Sequence, residues 1–177
     1  PYSPRYVYHN ENFTIKNINK TFVAVFVNQS LNYIIQQIEL HNIKYVQLHG
    51  TESTEYCLTL RNNDITIIKT IHLPTYYNIN DVNLIQELIN QYSNYVDFFL
   101  FDTKINNIQN NYGGSGIKFN WEIINKLTIS KPFFIAGGIS LENINDIFKI
   151  THPNFFAIDV NSKFEVSPAI KNINNLI

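Results

Sequence analysis

Short apolar runs recur along the chain, and most stop on a polar residue or a glycine. Between them lie segments whose apolar residues fall three and four apart, the spacing of a one-sided helix. Residues 21–27, Thr-Phe-Val-Ala-Val-Phe-Val, read as a buried strand. Ser30 then stands where it can cap a helix whose Leu31, Ile34, Ile35 and Ile38 share one face. The run Tyr45 to Leu48 ends on His49-Gly50, and Thr51 and Ser53 can both cap the next helix, with Glu52 and Glu55 at its positive end. A strand over 65–71 and a helix over 82–95, burying Leu84, Ile85, Leu88 and Ile89, follow. Phe98-Phe99-Leu100-Phe101 then stops abruptly on Asp102, as expected of a strand buried on both faces of a parallel sheet. The remainder predicts a short helix over 121–127, a strand over 133–136 ending on Gly137-Gly138, and a helix over 141–150. A strand over 155–158 ends on Asp159, and a closing helix is expected near 169–177. Ahead of all this, Ser3-Pro4-Arg5-Tyr6 is turn chemistry, and residues 9–20 are polar with Phe13, Ile15 and Ile18 as anchors of a weak helix.

Six strands, each followed by a helix or by a loop and a helix, predict an α/β fold with parallel strands and right-handed crossovers. No Gly-x-Gly-x-x-Gly opens a helix after the first strand, and polar residues sit at nearly every strand's carboxyl end. Both features favour a (β/α)8 TIM barrel over an open doubly wound sheet. A complete barrel needs eight strands and at least about 200 residues. The expectation is therefore one domain over residues 1–177 that lacks the first strand-helix-strand portion.

With 177 residues, 45% of them hydrophobic, the chain can bury a substantial core. A net charge of -1 and no basic stripe argue against nucleic-acid binding. No apolar run approaches the roughly 18 residues of a spanning helix, so no membrane partner is expected. Cys57 is the single cysteine, which excludes an internal disulfide and agrees with a cytoplasmic location. Enrichment in Asn, Ile, Lys and Tyr suggests an A/T-biased genome, in which single asparagines carry little signal. The absence of methionine hints at a start inside a longer reading frame. Two open strand edges predict poor solubility or pairing with a second copy as a homodimer.

Asp102 is placed at the carboxyl end of a buried strand, the edge where parallel α/β folds bind ligands. Gly113-Gly114-Ser115-Gly116 beyond it offers backbone N–H groups to an anion. Acid and anion loop together suggest a reaction on a phosphorylated small molecule. Gln47 and His49 flank Leu48 and so share one side of their strand, for substrate contact or for polar packing inside the barrel. Asp159 can contact substrate hydroxyls or cap the following turn. His9, His41, His72 and His152 show no metal-ligand spacing and read as surface or packing residues, and no metal is expected. Trp121 reads as packing.

The strand ends, read together, resemble the phosphoribosylanthranilate isomerase family. The matching stretches are Ser3-Pro4-Arg5-Tyr6-Val7, Val25-Phe26-Val27-Asn28, Val46-Gln47-Leu48-His49-Gly50, and Asp102-Thr103-Lys104 with Gly113 to Gly116 and Phe119-Asn120-Trp121. Ala136-Gly137-Gly138-Ile139 with Glu142-Asn143, and Asp159-Val160-Asn161-Ser162, complete the series. The resemblance implies a (β/α)8 enzyme of tryptophan biosynthesis. It catalyses, without a cofactor, the Amadori rearrangement of N-(5-phosphoribosyl)anthranilate to 1-(2-carboxyphenylamino)-1-deoxyribulose 5-phosphate. An acid protonates the furanose ring oxygen and a base takes the C2 proton. By resemblance Asp102, ending the sixth barrel strand, is the acid. The family's base is a cysteine ending the first strand in a Lys-Ile-Cys-Gly-like motif, which does not occur in these residues. Cys57, inside a helix as a half-buried thiol, is no substitute. Arg5 is the expected clamp for the anthranilate carboxylate. Gly114, Ser115 and Gly116, Gly137 and Gly138, and Asn161 and Ser162 are the expected phosphate cradle, while Gln47, His49 and Asp159 are substrate contacts.

Three positions depart from the family pattern: Asn120 where aspartate is common, Lys163 where a small residue is usual, and Ala169 where glycine is common. A rival reading is a catalytically dead relic, a phosphate-binding barrel scaffold without its general base. Another phosphosugar barrel, such as indole-glycerol-phosphate synthase, fits the Asp-Thr-Lys and Gln-Leu-His-Gly stretches less well.

Overall fold

The computed structural model describes Ser3, Arg5, residues 20–103 and residues 119–177. Six parallel strands form one sheet in the order β1 to β6, each paired with its neighbour in sequence. They are β1 (Val23–Phe26), β2 (Tyr45–Leu48), β3 (Thr66–Leu73), β4 (Phe98–Thr103), β5 (Phe133–Ile135) and β6 (Phe155–Ile158). A doubly wound sheet reverses strand order at a switch point. Strictly sequential order has no switch point and is the winding of a (β/α)8 barrel, of which these are six consecutive staves.

Alternation along each strand separates two faces. One presents Val46, Leu48, Ile67, Ile71, Phe99, Phe101, Phe133 and Ile135 to the main core, where they meet Ile34, Leu60, Ile85 and Ile89. Those last four come from the helices α1 (Leu31–His41), α2 (Thr54–Arg61) and α3 (Ile79–Tyr92). The other face carries a small separate cluster of Ile68, Leu100 and Ala136 with Phe98 and Phe134. Gln47, Thr70, His72 and Asp102 share that second face by parity.

The helices start as their sequence dictates. Ser30 accepts from the Tyr33 N–H and Ser53 from the Tyr56 N–H, while Asn78 and Asp81 form a reciprocal capping box on α3. None of the described helices is long and apolar enough to cross a membrane.

Several expectations need correction. The strand expected over 21–27 is shorter, and Val23 and Val25 remain 41% and 56% exposed because only Ala24 and Phe26 face the helical layer. The helices expected over 121–127 and 141–150 are single 3-10 stretches, Trp121–Lys126 and Ile144–Lys149. In the second, Asn143 accepts from the Ser140 N–H and donates to the Gly138 carbonyl, a local alternative to helical bonding that delays the start. Trp121 is buried, as a packing residue should be. No closing helix forms over 169–177. Glu165–Ser167 (β7) and Ile170–Lys171 (β8) pair as an antiparallel hairpin, followed by one 3-10 turn at Ile173–Asn175. Pro168 has no N–H for a helix, and Ala169 sits in the left-handed region at φ 70°. Glycine holds that conformation without the penalty a Cβ brings, so Ala169→Gly should stabilise the fold by up to about 1 kcal/mol in urea denaturation.

Candidate active site

The carboxyl ends of β2 to β6 bring the candidate residues together. His49 follows β2, with its Nδ1 2.9 Å from Gln47 Nε2 and 3.1 Å from Thr70 Oγ1. With Gln47 donating to Nδ1, the neutral ring carries its proton on Nε2, which faces Asp102 Oδ2 at 3.6 Å. That distance is too long for a hydrogen bond. Burial first, then the charges of His72 and Lys69, push His49 down to about 4, so the ring is neutral near pH 7 and the contact is not an ion pair.

The loop holding His49 rests on a buried charge pair that the sequence reading did not identify. Glu52 accepts from the N–H groups of Asn28 (2.9 Å) and Gly50 (3.1 Å) and from Lys69 Nζ (2.9 Å). Lys69, 2% exposed in the middle of β3, also donates to the Gly50 carbonyl at 2.6 Å and stands over the Tyr92 ring. Asn28, in the left-handed region at φ 50°, accepts from the Thr51 N–H at 2.7 Å and so joins the ends of β1 and β2.

Asp102 accepts from the Thr103 N–H at 2.7 Å through Oδ1. Burial raises its pKa above the ordinary carboxylate value, against the opposing pull of that N–H and of His72. Gly137 passes directly beside it. With φ +82°, a Cβ there would lie 2.8 Å from Asp102 Oδ1 and 2.9 Å from the Thr103 nitrogen, so only glycine lets this backbone approach the acid. Gly138 follows, also at positive φ, its carbonyl held by Asn143.

Asp159 directly follows β6, and its pKa is raised by burial and by the charge of Asp102, with Lys171 opposing. Asp102, Asp159, His49, Gln47 and Gly137 therefore share one rim. Asn161 and Ser162 continue from Asp159, but the Asn161 side chain accepts from Lys171 Nζ at 2.7 Å, and Ser162 opens a single 3-10 turn. Arg5 lies against Glu165: its Nε donates to both carboxylate oxygens at 3.1 Å. The Arg5 hydrogen bond, opposed by burial and helped by Lys171, holds Glu165 down to about 2. Gly114, Ser115 and Gly116 lie outside the described residues. Cys57 is fully buried rather than half-buried, inside α2, and burial pushes its thiol up to about 11.

His72, read as a surface or packing residue, belongs beside this rim. It is the exposed position of β3, pairs in register with Asp102, and its ring meets that of His49 edge to face at 4.9 Å.

The His49 shift has a measurable consequence. Its folded pKa lies below the unfolded value, so the unfolded chain takes up the proton first as pH falls. Stability should decline between pH 6.5 and about 4, by about 2–3 kcal/mol. Asp102 and Asp159, with raised values, act in the opposite sense and favour the fold at low pH. Denaturation in metal-free buffer should show the decline in the parent protein and a shallower one in His49→Gln.

Residues 2–177 match the family model described as N-(5'-phosphoribosyl)anthranilate (PRA) isomerase. The chain belongs to the phosphoribosylanthranilate isomerase family. Among curated members, it is 37% identical over 154 residues to the isomerase of Parabacteroides distasonis, covering 87% of this chain. It is 42% identical over 153 residues to that of Petrotoga mobilis, covering 85% of this chain. The matches span 65% and 66% of those two relatives' lengths, just under two thirds. Among solved structures, the phosphoribosylanthranilate isomerase of Thermotoga maritima aligns with a TM-score of 0.66 at 29% identity, over 87% of this chain and 68% of that one. The Thermus thermophilus enzyme aligns with a TM-score of 0.68 at 22% identity, over 88% of this chain and 68% of that one, a likeness of fold. The barrel expectation and the family resemblance are both borne out.

Proposed function

We propose that this family member takes part in tryptophan biosynthesis as the isomerase that converts N-(5'-phosphoribosyl)anthranilate to its aminoketose phosphate by an Amadori rearrangement. Asp102 is the general acid that protonates the furanose ring oxygen as the C1–nitrogen bond gains iminium character and the ring opens. Removal of the C2 proton then gives an enolamine, which tautomerises to the ketose. The observation that carries this reading is a carboxyl with a raised pKa, at the end of a barrel strand, against which the Gly137 backbone packs with no room for a side chain. A pKa raised toward working pH keeps more of the acid protonated, as general acid catalysis requires. The Gly137-Gly138 segment and the 161–162 turn are the proposed phosphate cradle on the same rim, with Gly114, Ser115 and Gly116 the expected third side. Gln47, His49 and Asp159 orient the sugar and anthranilate groups. Arg5, proposed as the carboxylate clamp, must exchange its Glu165 partner for substrate to act.

The base in this family pattern is a cysteine of the first strand. Cys57 does not fit that part, because its thiol is buried and held protonated. That favours, for these residues by themselves, the second reading of a phosphosugar-binding scaffold without turnover. The fluorescence of phosphoribosylanthranilate separates the two. With protein expressed from the complete reading frame, the fluorescence should decay catalytically. Binding of the phosphosugar without decay would leave the scaffold reading. A solved family member carries reduced 1-(o-carboxyphenylamino)-1-deoxyribulose 5-phosphate, which supports this substrate class. We also propose a cytoplasmic location and pairing of two copies. Pairing is suggested by a Thermotoga maritima isomerase described as dimeric.

A further inference from the structure

Three adjacent strand ends, of β2, β3 and β4, bring two imidazoles and a carboxylate together at the rim. His49, His72 and Asp102 each offer one ligand atom, and the three atoms lie within 4.8 Å of one another. We propose that His49, His72 and Asp102 form a binding site for a divalent transition cation of the Zn²⁺ class, and that its occupation holds Asp102 as a ligand and stops it from acting as an acid. The first half stands on the cluster itself; the second rests on the isomerase reading.

Two histidines and a carboxylate are a donor set suited to Zn²⁺ and its neighbours, and three protein ligands leave a fourth position for water. Metal–nitrogen and metal–oxygen bonds of about 2.0–2.2 Å in tetrahedral geometry set ligand atoms about 3.3 Å apart. The separation of His49 Nε2 and Asp102 Oδ2, 3.6 Å, is already close to that. His72 must move inward, and it is exposed, with Nε2 3.2 Å from the His49 carbonyl. Rotation of an exposed side chain is a small rearrangement. Binding through Nε2 puts the ring proton on Nδ1, where Thr70 Oγ1 at 3.1 Å can accept its hydrogen bond once the Gln47 amide, 2.9 Å away, turns its oxygen toward the ring in place of its NH₂. Such an outer partner fixes the ring and its tautomer. Sequence spacing does not reveal the set, because its members are separated by 23 and 30 residues and only strand adjacency unites them.

The test is calorimetric titration of the metal-free protein with Zn²⁺, paired with the visible absorption of Co²⁺ as a geometric probe. One cation per chain should bind, and Co²⁺ should show tetrahedral bands. His72→Ala and His72→Gln should each weaken binding by about 100-fold or more, beyond the roughly 10–100-fold loss of an orienting partner. His41→Ala, remote on α1, should bind as the parent does. Absence of a stoichiometric site, or equal affinity in the His72 and His41 variants, would overturn the proposal. Where turnover is present, Zn²⁺ should inhibit it, chelator should restore it, and the His72 variants should resist. Turnover that is indifferent to bound Zn²⁺ would overturn the coupling to Asp102. Metal binding in protein expressed from the complete reading frame, with no turnover, would keep the site and remove the isomerase reading.

Discussion

Asp102→Asn is expected to lower phosphoribosylanthranilate turnover by about 10²- to 10⁴-fold while leaving KM within a few-fold of its parent value. In the proposed reaction the acid acts as the ring oxygen gains its proton, so its loss would fall on the transition state more than on ground-state binding. The amide keeps the shape and can still accept from the Thr103 N–H, so the loop is retained. Burial raises the Asp102 pKa, which means that its charged form is unfavourable in the fold. The neutral variant should therefore be at least as stable as the parent at pH 7, an exchange of stability for activity common at catalytic sites. Steady-state kinetics with a thermal melt checks both. A folded variant that turns over normally would remove Asp102 from the acid role, and a variant that melts well below the parent would contradict the stability expectation.

The largest stability effect should come from Glu52→Gln. Lys69 is sealed beneath the β2 loop with Glu52 as its counter-charge, and an amide leaves that ammonium buried and uncompensated. Breaking a buried pair from one side typically costs about 3–5 kcal/mol, whereas removing both charges together often costs far less. Glu52→Gln should unfold at markedly lower urea, and adding Lys69→Met should recover part of the loss. Burial pushes the Glu52 pKa up, but Lys69 and the Asn28 N–H outweigh it, and the net value is lowered. The pair's contribution is thus complete above the ordinary glutamate pKa and lost as pH falls through the lowered one. Because Glu52 and Lys69 also bond the Gly50 backbone, the same variant should loosen His49 at the rim. A shift of less than about 1 kcal/mol would place Lys69 in contact with water.

The strands were legible because each apolar run stops on a polar residue, and the first two helices because serine precedes a one-sided apolar pattern. Asp102, Gly137 and His49 followed from the same logic, since in a parallel sheet every strand delivers its last residue to one edge. What the sequence withheld was pairing across strands. Lys69 interrupts the apolar run Ile67-Ile68-Lys69-Thr70-Ile71, a signal that a buried charge needs a partner, yet nothing local points to Glu52. His72 was recoverable by parity, being two residues beyond Thr70 and on the same side. The closing hairpin was hidden because Ile170, Ile173, Leu176 and Ile177 imitate helical spacing, while Pro168 and the left-handed Ala169 turn the chain back. Asparagines discounted as drift include Asn42 in a left-handed position and Asn78 as a local backbone partner. Their short amides suit those places better than most side chains.

Six glycines make the central claim directly observable, since protein labelled with ¹⁵N-glycine gives one amide signal for each. Titration with the reduced, non-reacting aminoketose phosphate should shift Gly137 and Gly138 strongly, along with Gly114 and Gly116. The Gly50 signal, its N–H already donated to Glu52, should move least. Ligand binding that leaves Gly137 and Gly138 unmoved would contradict a phosphosugar site built around Asp102.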